Sequence, residues 1–293
     1  MTTTHETPGP MQPTRPASAT EARRPVVPDP RWPVRLGLAL AVVTVAAGIP
    51  TAVDGGVLTG PAAMNGSARG TALVAVLAAV PLLLLSMRAT VRGSARAVAG
   101  WQGALAYLLY NSLAFLFVTP FNRLFLLYVA MLGLAVWAVG SLFVSVDVGA
   151  FAARVSPRLP ARGIASYVWG VVVLNTLAWL WVEVPAVIRG DAAHLEGTGM
   201  PTNAFHVQDL ALWLPLAAVA ALWLWRRRPW GVLVVGGMLA FWVVESVGIA
   251  VDQWLGSLAD PASPVVSMTL APAFLVLAVV GCVPLLALLR RVD

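Results

Sequence analysis

Eight apolar runs, each close to the length of a membrane crossing, constrain the fold of this chain more than any motif in it. They cover residues 32–53, 70–87, 97–118, 122–146, 164–188, 206–225, 231–252 and 265–289. A hydrocarbon core of roughly 30 Å takes about 20 helical residues to cross. The runs therefore predict an all-α membrane protein, a bundle of about eight transmembrane helices. Composition agrees: 59% of the 293 residues are hydrophobic and 11% are charged. Soluble domains carry roughly 25% charged residues. Pro81, Pro215, Pro272 and Pro284 fall inside runs. They are expected to kink their helices, since proline has no N–H and clashes with the carbonyl four residues back.

Residues 1–31 hold seven prolines and no apolar periodicity, which predicts a disordered tail. Residues 32–293 form a single transmembrane bundle, its first run an uncleaved anchor. Every residue in the Lys+Arg count of 19 is arginine, so lysine Schiff-base chemistry is excluded. Cys282 is the one cysteine and supports neither an intrachain disulfide nor a thiolate metal cluster. No cofactor or metal is expected.

The arginines set the orientation. Arg15, Arg23, Arg24, Arg31 and Arg35 lie in the tail and the start of the first run. Alternate loops then hold Arg88, Arg92 and Arg96; Arg154, Arg158 and Arg162; and Arg226, Arg227 and Arg228, with Arg290 and Arg291 at the C-terminus. Only Arg69, Arg123 and Arg189 remain for the other side. By the positive-inside rule both termini are cytoplasmic, in a multi-pass protein of the cell (plasma) membrane. The net charge of +6 then reflects topology and attraction to anionic lipid; the lipid bilayer is the expected partner and nucleic acid is not. Trp32, Trp101, Trp169, Trp223, Trp225 and Trp230 fall near inner ends, and Trp181 and Trp254 near outer ends, as in an interfacial aromatic belt.

With topology set, polar groups within the runs gather in the outer half. Glu245, in "FWVVESVGIAVD", lies about 8–10 Å from the outer end of its run. A carboxylate deep in a bilayer costs roughly 2.5 kcal/mol or more, so Glu245 is expected to face the bundle interior and be paired, or else to be protonated, as a functional acid or a structural one. Asp252, seven residues on, continues the same face. His206 and Asp209 are three apart and share a face, and either Thr202 or Asn203 can cap that helix. An acid near such an end also suits the helix dipole, so Asp209 has a plain structural reading beside a site role. Glu183 fits snorkelling or an ion pair with Arg189 or Arg123, though Asn175 and Trp179 on its stripe permit an inward orientation. Tyr107 and Asn111 share a face, with Arg123 at the mouth as a candidate counter-ion; interhelical hydrogen bonding is the plainer role for the tyrosines. The outer loop 189–205 fits either a lid or a connector.

The segments "YLLYNSLAF", "FNRLFLLYVA", "PTNAFHVQDLALWLP" and "LWRRRPWG" together resemble a group of uncharacterised bacterial multi-span membrane proteins. The alanine-rich, lysine-free composition resembles that of actinobacterial sequences. The resemblance implies a complete eight-helix unit and no activity.

Three functional expectations follow. The first is a polar pocket open to the extracytoplasmic side that binds a small molecule, a lipid headgroup or a proton. The second is a small-molecule transporter, proton-coupled through Glu245. The third is an outer-leaflet enzyme using His206, Asp209 and Glu245 in acid–base chemistry.

Overall fold

The computed structural model describes residues 24–293. These residues are helical apart from short connections and one isolated bridge between Val155 and Val292. The long helices are α1 (Arg31–Val53), α2 (Ala62–Val91), α3 (Ala97–Phe117), α4 (Phe125–Ser145), α5 (Ala161–Arg189), α6 (Ala204–Trp225), α7 (Pro229–Ala259) and α8 (Leu270–Leu289). Seven of them are long and apolar enough to cross a membrane. The exception is α3, whose Gln102, Tyr107, Tyr110, Asn111 and Ser112 dilute its apolar character. Yet fourteen of its 21 residues are buried. A helix surrounded by other helices need not be uniformly apolar, because it contacts side chains instead of lipid.

The core is built on α3 and α7. α7 packs against α2, α3, α6 and α8, α4 packs against α1 and α3, and α6 packs against α5 and α7. In its most apolar window 61% of α7 is buried, against 11% for α5, so α5 is a peripheral helix leaning on α6.

α2 and α7 outrun their apolar runs for one reason. The first turns of α2, "AAMNGSARG", place Gly66 and Gly70 four residues apart, the spacing that lets helix backbones approach closely. A Cβ on Gly66 would stand 2.4 Å from the Leu255 carbonyl oxygen, and one on Gly70 would stand 2.8 Å from Asp252 Cα and N. Small and polar residues here are covered by the partner helix, so hydropathy misses them. α7 continues to Ala259, which leaves fourteen residues beyond Glu245, about 21 Å of helix. Glu245 is therefore deeper along its helix than the apolar run implies.

The prolines act differently from one another. Pro81 and Pro215 each follow a turn of π-helix, Ala75–Ala79 in α2 and Asp209–Trp213 in α6. The last N–H before each proline bonds five residues back, Val80 to Ala75 and Leu214 to Asp209. The wider turn accommodates the ring against the preceding carbonyl. Pro284 lies inside α8 as expected. Pro272 instead sits in the first turn of α8, where its missing N–H has no intrahelical partner to lose, so it has no kink to impose.

The helix ends sort into two faces. Asp147 N–H donates to the Val26 carbonyl, Ser156 N–H to Arg291, and Asp293 N–H to Arg154; Arg154 Nη2 reaches the Arg24 carbonyl at 2.7 Å. The N-terminal segment, the C-terminus and the arginine-bearing loops thus meet at one end. Residues 24–30 belong to the stretch expected to be a disordered tail, yet Val26 and Val27 are buried there. The rest of that tail, 1–23, lies outside the described residues. Trp32, Trp181, Trp225, Trp230 and Trp254 are exposed as a belt requires, whereas Trp101 is fully buried and belongs to the core.

Candidate functional site

At the end opposite the arginine-bearing loops, α3, α5, α6 and α7 bring their polar residues together. Asn203 caps α6: its side-chain oxygen accepts from Phe205 N–H at 3.1 Å and His206 N–H at 3.2 Å. The cap fixes the phase of the helix, so that His206 and Asp209 both turn toward α5. His206 Nδ1 lies 2.6 Å from Glu183 Oε1. The His206 ring also stacks on Trp179, with centroids 4.2 Å apart. One turn on, Trp179 Nε1 donates to Asp209 Oδ2 at 2.9 Å, and the Tyr110 hydroxyl faces the same carboxylate.

Glu245 enters from α7. Asn111 Nδ2 donates to its Oε2 at 2.9 Å and also to the Tyr107 carbonyl at 3.1 Å. Asn111, Tyr110, Glu183, His206, Asp209 and Glu245 therefore form one neighbourhood. Gln208, buried beside it, accepts from Trp213 Nε1 at 3.1 Å.

Three expected members take other roles. Tyr107 is wedged between α2 and α7, its hydroxyl 3.4 Å from the Thr71 carbonyl and close against Gly248. This is the interhelical role that is plainer for a tyrosine. Arg123 pairs with Asp54 in the loops at this end and is not brought to Glu245. Asp252 lies partly exposed at the α2/α7 seam, accepting from Ser67 Oγ at 2.5 Å and Gln253 Nε2 at 3.1 Å. Glu183, for its part, pairs with neither Arg189 nor Arg123. Arg189 is taken by Asp191, and Glu183 turns inward to the two histidines. Asn175 bonds back to the Val171 carbonyl within its own helix.

Sequence reasoning missed two contributors. His194, in the loop 189–205, places Nε2 3.4 Å from Glu183 Oε1, so this loop touches the cluster. Ser67 neutralises the polarity of Asp252 from α2; the Gly66/Gly70 spacing around it was the available signal.

The electrostatics are one-sided. Among the described residues no arginine pairs with Glu183, Asp209, Glu245 or Asp252. Nor does any group of three or more His, Cys, Asp and Glu side chains have the geometry to hold a metal ion. Exposure changes abruptly along α7: residues 231–241 are all buried, while 242–247 are all partly exposed. The opening coincides with Glu245. What the arrangement offers is a set of carboxylates beside aromatic faces, with donors for some oxygens, two histidines at Glu183 and, among the described residues, no arginine partner. No protein-family model, curated protein or solved structure matches the chain.

Proposed function

We propose an eight-span protein of the cell membrane, with both termini cytoplasmic, whose polar cluster is an extracytoplasmic site for a small cation of the amine or ammonium type. Support for the eighth span is that α3 matches its neighbours in length and lies among them. Support for the orientation is the gathering of both chain ends with the arginine-bearing loops at one face.

The observation that carries the ligand class is Glu245. It is a carboxyl group with one amide donor and no cationic partner, on the stretch of α7 where burial lapses. Buried carboxylates are stable when paired, and here the missing partner is positive. Trp179, Tyr110 and His206 add ring faces, and aromatic faces beside carboxylates are suited to ammonium groups. A free amine and a lipid ammonium headgroup share this chemistry.

The test is calorimetric titration of the protein in nanodiscs with choline and with ethanolamine, and with headgroup-bearing lipid in a separate arm. Glu245→Gln keeps an acceptor for Asn111 while removing the charge. Binding should weaken at least about tenfold, the loss of one charged contact. Equal affinity in wild type and Glu245→Gln, or no affinity for either cation, would sink the reading.

Transport is the second reading, favoured by the two π-turns. One of them begins at Asp209 itself, and π-turns are irregular points at which helices rearrange. The buried stretch 231–241 would then be a closed inner half. Amine flux into proteoliposomes that vanishes in Glu245→Gln decides for transport; binding without flux decides for a sensor or accessory subunit.

A further inference from the structure

A second polar feature lies at the same end of the bundle as the cluster and shares none of its acids. α2, α3 and α7, with the first turn of α6, surround a small cavity of about 40 Å³. Its polar lining comes from Asn65, Ser67 and Thr71 of α2, Thr119 just past α3, and Asp252 of α7. The Gly66/Gly70 contacts press α2 onto α7. Ser67 and Thr71, also four residues apart, therefore carry their hydroxyls along one face beside Asp252. Phe205 joins the two places: it lines the cavity and stacks on Tyr110, with ring centroids 6.0 Å apart.

An account of the oxygens shows what the cavity offers. Asn65 is committed to the α1–α2 loop, accepting from Gly60 N–H and donating to the Leu58 and Gly60 carbonyls. Thr119 donates its hydroxyl hydrogen to the Phe115 carbonyl at 2.6 Å, and Ser67 donates to Asp252 Oδ1. Both oxygens keep lone pairs. The two donors to Asp252 converge on Oδ1. Its Oδ2 has no hydrogen-bond partner among the described residues, nor has Thr71 Oγ1, and neither atom is sealed from access. No cationic side chain lines the cavity.

A carboxylate withdrawn from bulk water is stable when a positive charge faces it, and oxygen ligands suit hard cations. One carboxylate balances one positive charge, so the lining fits a monovalent ion; it needs no cluster of histidines and acids. Size narrows the choice further. A buried water needs about 10–15 Å³ of such space, so the cavity takes a monatomic ion with a water or two and is too small for choline. We propose that this cavity is a sodium-type monovalent cation site, with Asp252 Oδ2 as the charged ligand and the hydroxyls of Thr71 and Ser67 as neutral ones. The site is independent of the ammonium reading of the polar cluster. A bound ion would tie α2 to α7 at the seam.

The test is binding of radiosodium to the full-length protein in nanodiscs, with unlabelled salts as competitors. Sodium chloride should displace a saturable label of one ion per chain, and choline chloride at equal ionic strength should not. Asp252→Asn should abolish the label while leaving calorimetric titration with choline unchanged, which keeps the two sites distinguishable. Thr71→Val, which retains the shape of the side chain, should weaken sodium binding about tenfold, the effect of one polar contact. The competition uses unmutated protein, so it stands even if Asp252→Asn fails to fold. Overturning results are equal displacement by choline, undiminished label in a folded Asp252→Asn, or no saturable label at neutral or alkaline pH, as a carboxyl that merely holds a proton would give.

Discussion

Gly70 and Gly170 both sit within long helices, and their surroundings differ completely. A Cβ on Gly70 of α2 would stand 2.8 Å from the backbone of Asp252, whereas one on Gly170 of α5 would meet nothing within 4 Å. The first glycine belongs to a seam in which two backbones touch; the second belongs to a helix on the rim. Each region holds carboxylates in a different way. In the seam, Asp252 is bound by a hydroxyl from the apposed α2 and by the amide of Gln253 on its own helix. On the rim, Glu183 and Asp209 are bound by an imidazole and an indole across the α5/α6 pair. The seam acid is held by close backbone packing, and the rim acids are held only by side chains reaching across a looser helix pair.

The sharpest break is made by volume. Gly70→Val forces a branched side chain into the Asp252 backbone, which has no flexible end to yield. It should destabilise by about 3 kcal/mol or more, the upper part of the overpacking range. Gly170→Val should shift the thermal unfolding midpoint little, since the side chain meets open space. Equal effects at the two positions would abolish the distinction between seam and rim.

That distinction was only half legible in the sequence. The centres of the eight helices were visible, because most of them are bathed in lipid on at least one face and must be apolar there. The last turns at this end of α2 and α7 were not: residues 62–69 are mostly small or polar, with Ala63, Gly66 and Ser67 buried, and 253–259 set buried Gly256 and Ser257 among exposed Trp254 and Leu258. The polar residues of the cluster can be placed by depth, which groups Asn111, His206, Asp209 and Glu245. Their partners could not. Asn111 and Glu245 are 134 residues apart, and which side of α3 meets α7 is decided by packing. Arg123 illustrates the same gap, because depth put it near the acids while the α1–α2 loop supplied Asp54 as its partner.

Ser67→Ala tests the seam at a single hydrogen bond. It leaves Asp252 with Gln253 alone, and an underpaired buried acid costs about 1–3 kcal/mol. Ligand binding at the polar cluster should be unchanged, since Ser67 touches only the seam. On the rim the expectation is reversed. Trp179→Phe removes the donor to Asp209 from a partly exposed pair, costing about 1 kcal/mol or less. It should nonetheless weaken ammonium binding several-fold, because the ring face and the oriented carboxylate are both part of the proposed site. Unfolding midpoints and calorimetric titrations of the two variants side by side separate these outcomes.

The smallest effect belongs to neither region, and it calibrates both. Asp54, just past the end of α1, has its carboxyl held below the ordinary value of 3.8, first by the Gly56 backbone N–H and then by Arg123. A carboxyl group depressed in the folded state stabilises the fold above its unfolded value, and that contribution disappears as pH falls through the folded value. Wild type and Asp54→Asn should therefore differ slightly near neutral pH and converge as the solution is acidified below 3.8. Both side chains are well exposed, so the difference should be small and should shrink further in high salt. A gap between the two proteins that persists at the acid end, or survives high salt, would mean that Asp54 and Arg123 bear on the packing of α1 and not merely on the charge of the loops they join. The rim would then be more tightly coupled to the core than Gly170 implies.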